Sequence, residues 1–137
     1  MRVRKAHLEF LSRARVVRVA TADGQGQPHV VPVCHVVRDG RIYFASGLTG
    51  RKVADLRANP VATVTADDYT EAWDQLRGVT VTGPVRLHAR NPTFRRIRRL
   101  LYAKYPQYPH MSAIGERDSV IVEVTPRRAF WWGMDQR

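Results

Sequence analysis

Pro28-His29-Val30-Val31-Pro32-Val33-Cys34-His35-Val36-Val37, then Arg38-Asp39-Gly40-Arg41, then Ile42-Tyr43-Phe44-Ala45-Ser46 is the stretch on which the fold turns. Its first segment is long, apolar and rich in β-branched residues, and reads as one strand over 28–37. Pro32 inside it requires an edge, a bulge or a position whose N–H no neighbour needs. Asp39-Gly40 is a hairpin signal, so 42–46 returns antiparallel beside it. Upstream, Val16-Val17-Arg18-Val19-Ala20-Thr21 is another strand, stopped by the turn formers Asp23-Gly24-Gln25-Gly26. Three strands joined by short turns make an antiparallel meander. Arg18 in mid-strand either reaches solvent on one face or meets an anion, and the spacing leaves both open.

Residues 46–60 leave that third strand through Gly47 and Gly50 into a short helix. Thr49 is its expected N-cap, Val53 and Leu56 face inward, and Asn59 stops it before Pro60. Arg51 and Lys52 then occupy the first turn, where free N–H groups and the helix dipole favour acids. An anion held by the Ser46 and Thr49 hydroxyls, backbone N–H groups and the two cations would resolve that conflict. A solvated turn whose basic side chains point at water is the alternative.

Further along, 61–66 is a strand, and 67–73 is a polar loop carrying Tyr69 and Trp73. Val79-Thr80-Val81-Thr82-Gly83-Pro84-Val85-Arg86-Leu87 alternates as a strand, bent at Gly83-Pro84. Asn91-Pro92 opens a helix over 93–104 that buries Phe94, Ile97, Leu100 and Leu101 and exposes Arg95, Arg96, Arg98 and Arg99. Residues 105–110 read as a loop. The last strand, 119–124, resumes over 129–132, where adjacent Trp131 and Trp132 point to opposite faces. With an amphipathic helix over 2–14, the chain reads as mainly β with peripheral helices: a six-stranded antiparallel barrel, closed or partly closed, in one domain over 1–137.

The 137 residues carry a net charge of +11, and 20 of the 23 basic residues are Arg. Such a balance suits nucleic acid, an acidic membrane or a small anionic ligand. No stretch approaches the length of a membrane span, and the N-terminus lacks a signal-peptide pattern, so the expected location is cytoplasmic. Glycine-aromatic RNA motifs and a helix-turn-helix pattern are missing, which argues against a nucleic-acid partner, and no membrane partner is expected. The single Cys34 excludes an internal disulfide and a thiolate metal site and reads as a small buried strand residue; no metal is expected. Serine-elbow, P-loop and Gly-x-Gly-x-x-Gly patterns are absent, so any reaction must be carried by a bound cofactor.

Arg18-Val19-Ala20-Thr21, Gln27-Pro28-His29-Val30-Val31-Pro32-Val33, Ile42-Tyr43-Phe44-Ala45-Ser46, Gly50-Arg51-Lys52, Leu56, Asn59-Pro60 and Val79 to Val85 form an ordered set. That set resembles the pyridoxamine 5′-phosphate oxidase-like split-barrel family, and is most similar to its small flavin- or deazaflavin-dependent members. The resemblance implies a split barrel, a homodimer, and cofactor sites at the subunit interface. It assigns the cofactor phosphate to Ser46, Thr49, Arg51 and Lys52. Arg18, Val19, Ala20 and Thr21 would present a strand edge to the tricyclic ring and ribityl chain, beside Pro32 and Val33. Trp73, Trp131 and Trp132 are candidates to close the ring pocket, in the same or the partner subunit.

The implied cofactor is FMN or the deazaflavin coenzyme F-420, and the Arg-rich chain leans towards F-420 with its anionic tail. The implied activity is that of an oxidoreductase passing a hydride between the cofactor and a small unsaturated or oxidised substrate. Hydride transfer at the deazaflavin C5 or flavin N5 needs no protein acid in the transfer itself, so no separate catalytic residue is assigned. The alternative within the same family is a non-enzymatic FMN or haem protein, with His29, His35, His88 or His110 as axial ligands.

Overall fold

In a computed structural model, which describes residues 2–134, strand pairing follows the hairpin chemistry of the sequence. The helix α1 (Lys5–Arg13) is followed by β1 (Val17–Ala22) and β2 (Pro28–Val33). Asp23 Oδ1 accepts the Gln25 and Gln27 N–H groups at 2.9 Å each and so shapes the β1–β2 turn. Next come β3 (His35–Arg38) and β4 (Arg41–Gly47), linked through Asp39 and Gly40 at φ 53° and 77°. Positive φ at both central residues suits the right-handed twist of a tight hairpin, which is why Asp-Gly is found there.

After α2 (Arg51–Ala58), β5 (Val61–Asp68) leads through a 3-10 turn (Trp73–Gln75) into the twelve-residue β6 (Arg77–His88). Then follow α3 (Pro92–Lys104), α4 (Tyr108–Met111), β7 (Ser119–Val124) and β8 (Arg128–Trp132). Asn91 caps α3 by accepting the Phe94 N–H at 2.8 Å, with Pro92 in the first turn. The expected loop over 105–110 instead buries Tyr105 and coils into α4.

All pairings are antiparallel, in the order β2-β1-β5-β6-β7-β4-β3, with β8 also on β6. The expected six strands become eight. The stretch 28–37 breaks at Cys34 because its two halves pair at opposite ends of the order, β2 with β1 and β3 with β4. Cys34 is therefore a half-buried hinge between strands, not a strand-core residue. That continuity curls the sheet into a split barrel. The last strand is likewise two, with β7 on residues 85–88 of β6 and β8 on residues 78–82. Gly83 marks the changeover: a Cβ there would lie 1.8 Å from the Thr125 carbonyl oxygen, so only glycine lets the β7–β8 link cross so closely.

Alternation along the strands divides the core in two. Val17, Val19, Ile42, Phe44, Val64, Val79, Val81, Val122 and Trp131 fill the barrel beneath α1 and α2. Phe94, Ile97, Leu101 and Tyr105 pack outside it, against Val36, Tyr43 and Ile121. One half of the sheet thus has its outer face covered by α3. The outer face of β2, β1, β5, β6 and β8 has no helix over it, and carries exposed Val30 (63%), Val61 (45%) and Phe130 (62%).

Candidate functional site

The β4–α2 turn brings together Ser46, Thr49, Arg51 and Lys52, as their spacing requires. The N-cap of α2 is Gly50, not Thr49, and no side chain caps the helix. Gly50 N–H turns back to the Gly47 oxygen (3.2 Å), and the first intrahelical bond runs from Ala54 to Gly50 (3.2 Å). The hydroxyl of Thr49, exposed and one residue early, does not reach the N–H groups of Arg51, Lys52 and Val53, which lack intrahelical acceptors. Ser46 is buried beside this opening: its Oγ would be 3.8 Å from a Cβ placed on Gly50 and makes only a long contact (3.5 Å) to Gly47 O.

The two cations of this turn have different fates. Arg51 Nε pairs with Asp55 Oδ2 four residues on (3.6 Å), and its Nη2 donates to the Pro28 carbonyl (3.4 Å). Buried Asp55 also accepts the Thr21 hydroxyl at 2.8 Å, which ties α2 to β1. For Arg51 the electrostatic conflict is therefore answered from within the helix. Lys52, half-buried, has no carboxylate within ion-pairing distance among the described residues. Sequence reasoning passed over Asp55, although its i,i+4 spacing from Arg51 is the readable signal.

Strand β1 is not an edge over Arg18–Thr21, since β2 flanks all of it and β5 pairs with residues 18–20. Pairing with β5 ends at Ala20 opposite Thr63, and beyond it Ala62 and Val61 are paired with β6 alone. A hollow of about 370 Å³ opens in that gap, lined by Ala20, Thr21, Ala22, Pro28, Asn59 and Val61 among others. Arg18, Ala20 and Pro32 are on the outer face, whereas Val19 is fully buried and Val33 packs against the barrel core. Only the main chain of Val19 can therefore meet a ligand there.

The tryptophans are not brought to this hollow within one chain. Trp131 is buried beneath α1, its ring 4.2 Å from that of His7, and belongs to the core. Trp132 lies on the outer face, over Gly78 and 5.8 Å from Phe130. Trp73 is 71% exposed in the 3-10 turn, donating to the Tyr69 hydroxyl at 3.2 Å. It follows Asp68, the end of β5 that lies about 23 Å along the strand from Val61.

Of the histidines, His35 Nε2 donates to the Leu11 carbonyl (2.7 Å) and His88 Nε2 to Glu123 (2.9 Å), so neither presents that nitrogen to a metal. Among the described residues, no hydrogen bond holds the imidazole of His29, in β2, or of His110, on α4. No group of three His, Cys, Asp or Glu side chains suited to a metal ion occurs among the described residues. None of the helices is long and apolar enough to cross a membrane.

The sequence pattern of the pyridoxamine 5′-phosphate oxidase family matches residues 3–133. No curated protein matches the chain. Among solved structures, the fold is similar to a FAD-binding protein from Mesorhizobium loti at 23% identity and TM-score 0.76, over 92% of this chain and 91% of that one. An F420 reductase aligns at 22% identity and TM-score 0.73, over 93% and 98% of the two chains. HutZ, the haem storage protein of Vibrio cholerae, aligns at 15% identity and TM-score 0.78, over 95% and 94%. At these identities the likeness is one of fold.

Proposed function

Because the chain belongs to the pyridoxamine 5′-phosphate oxidase family, we propose that it is an oxidoreductase that binds FMN or coenzyme F-420 by the cofactor phosphate. The observation that carries this reading is the uncapped N-terminus of α2, where three N–H groups lie beside the Ser46 hydroxyl and the first turn carries the unpaired Lys52. A phosphate supplies the acceptors and the negative charge that this opening lacks. Eight residues of α2 span about 12 Å, and the β1–β5 hollow lies at the helix's far end, by Asn59. An elongated cofactor can thus reach from one to the other past the Arg51–Pro28 contact.

When bound, such a cofactor supplies hydride transfer at its central ring. The chain's own contribution is positioning. Lys52 neutralises the phosphate, the Thr21–Asp55–Arg51 chain fixes α2 against β1, and Ala20 and Pro28 leave room for a flat ring. The substrate is a small unsaturated or oxidised molecule. Flavin, F-420 and haem titrations of the purified protein, followed by absorbance, test the reading; no flavin or deazaflavin binding below about 100 μM would sink it. Lys52→Ala is expected to weaken cofactor binding by roughly 1.5 to 3 kcal/mol, with far-UV circular dichroism unchanged. Unaltered affinity in that variant would falsify the phosphate assignment.

The uncovered sheet face supports a homodimer that completes each site. Across it, Thr63 pairs with Thr82 and Thr65 with Thr80, each hydroxyl pair at 2.8 Å, so these polar groups satisfy one another without water. Val30, Val61 and Phe130 add exposed apolar area around them. A second copy over this face would bring its own exposed aromatics near the hollow. Light scattering should therefore give twice the 15.7 kDa chain mass. Phe130→Asp, which buries a charge in that contact, is expected to raise the dimer dissociation constant about 100-fold.

A further inference from the structure

Beyond the end of α3, the outer face of β4, β7 and β6 is open. A hollow of about 340 Å³ lies there, bounded by Arg41, Pro84, Arg86, Glu123, Thr125 and Arg127. Its one carboxylate is already committed. Glu123 Oε1 accepts from His88 Nε2 at 2.9 Å, and its Oε2 pairs with Arg41 Nε at 3.4 Å. The His88 tautomer follows from the helix cap: Asn91 Oδ1 takes the Phe94 N–H, so its amide nitrogen must donate to His88 Nδ1 (3.1 Å), leaving the Nε2 proton for Glu123. Among the described residues, Arg86 and Arg127 then have no carboxylate within ion-pairing distance.

From these charges we infer that this hollow is a second anion site, taking a doubly charged oxyanion of the phosphate-monoester type. Two guanidinium forks without counter-ions carry two positive charges into one recess, and a phosphate dianion matches both the charge and the fork geometry. Like charges lining one recess repel, and an anion between them relieves that repulsion. Thr125 also lines the recess. No aromatic side chain lines the recess, so there is no platform on which a base could stack, which favours a compact phosphate over a nucleic acid strand. The site is distinct from the N-terminus of α2, because Arg41 opens β4 and Ser46 is near its other end, about 16 Å along the strand. It is independent of the cofactor reading.

Equilibrium dialysis with radiolabelled inorganic phosphate at constant ionic strength tests the site, in the Lys52→Ala protein so that the α2 end does not contribute. Saturable binding with a dissociation constant below about 1 mM is expected. The double substitution Arg86→Gln/Arg127→Gln should weaken it at least tenfold, and Arg86→Lys/Arg127→Lys, which keeps the charge without the forks, should fall between. These side chains are exposed, so an unchanged circular dichroism spectrum accompanies the loss. Absence of saturable binding in the Lys52→Ala protein, or affinity unmoved by the double Gln substitution, overturns the proposal.

Discussion

Taking the protein from pH 6.5 to pH 4 is expected to remove up to about 3 kcal/mol of its stability through one residue, His35. Its side chain is wholly buried: Nε2 donates to the Leu11 carbonyl, while Nδ1 has no partner. A second proton would therefore be placed on a buried nitrogen with no acceptor, near the cations Lys104 and Arg15. Burial above all, and then those cations, lower the pKa from 6.5 to about 4, against the opposing bond to Leu11. The folded pKa lies below the unfolded one, so the unfolded chain binds more protons within that interval. Stability is fully present above pH 6.5 and is lost as pH falls towards 4, by about 3 kcal/mol for a difference of this size. Urea denaturation at pH 7, 5.5 and 4.5 measures it. His35→Gln, which cannot be protonated, should flatten that acid limb; an identical limb in the variant would refute the assignment.

Lys104→Met should cost about 4 kcal/mol at pH 7. The Lys104 ammonium donates to three carbonyls, those of Ser12 (3.2 Å), Ala14 (3.0 Å) and His35 (2.9 Å). Beside it, the Tyr105 hydroxyl lies 2.9 Å from the Arg15 carbonyl and accepts the His35 N–H at 3.1 Å. Together these groups bind the ends of α1 and α3 to the hinge where β2 becomes β3. Methionine keeps the apolar stem and leaves the carbonyls unpaired; bonds to a charged group contribute roughly 1.5 to 3 kcal/mol each and are not additive when one ammonium makes all three. Desolvation lowers the Lys104 pKa to about 8 from 10.5, with Arg15 adding to the effect. The wild-type protein, unlike the variant, should therefore gain stability between pH 8 and 10.5, where the unfolded chain holds the extra proton. Chemical denaturation of both proteins at pH 7, 8.5 and 9.5 checks the size and the sign. Because this hinge directs Pro32 and Val33 towards the outer face and the barrel, the variant is also expected to bind cofactor less tightly.

How much was legible varied with the range of the interaction. Asn91-Pro92 announced the start of α3, and Asp39-Gly40 the β3–β4 hairpin, because caps and tight turns are satisfied by neighbours in sequence. The cluster at the start of α2 was visible for the same reason. Thr49 was misread as its cap: a one-residue change in where a helix begins is decided by the turn before it, here Gly50 N–H to Gly47 O. Trp131 and Trp132 were correctly separated to opposite faces by alternation. Which of them was buried depended on α1 bringing His7 over β8.

From its own order of residues the chain determined strands, hairpins, helices and the concentration of donors and cations at 46–52, since periodicity and turn chemistry act over a few residues. Tertiary structure alone decided that 28–37 divides at Cys34 between the two ends of the sheet, that Asp55 is buried against Thr21 of β1, and that one face of the barrel is uncovered. Each of these depends on which distant strand supplies the partner. A polar or apolar group declares its type in the sequence, but whether it is satisfied is a property of what the closed barrel packs against it.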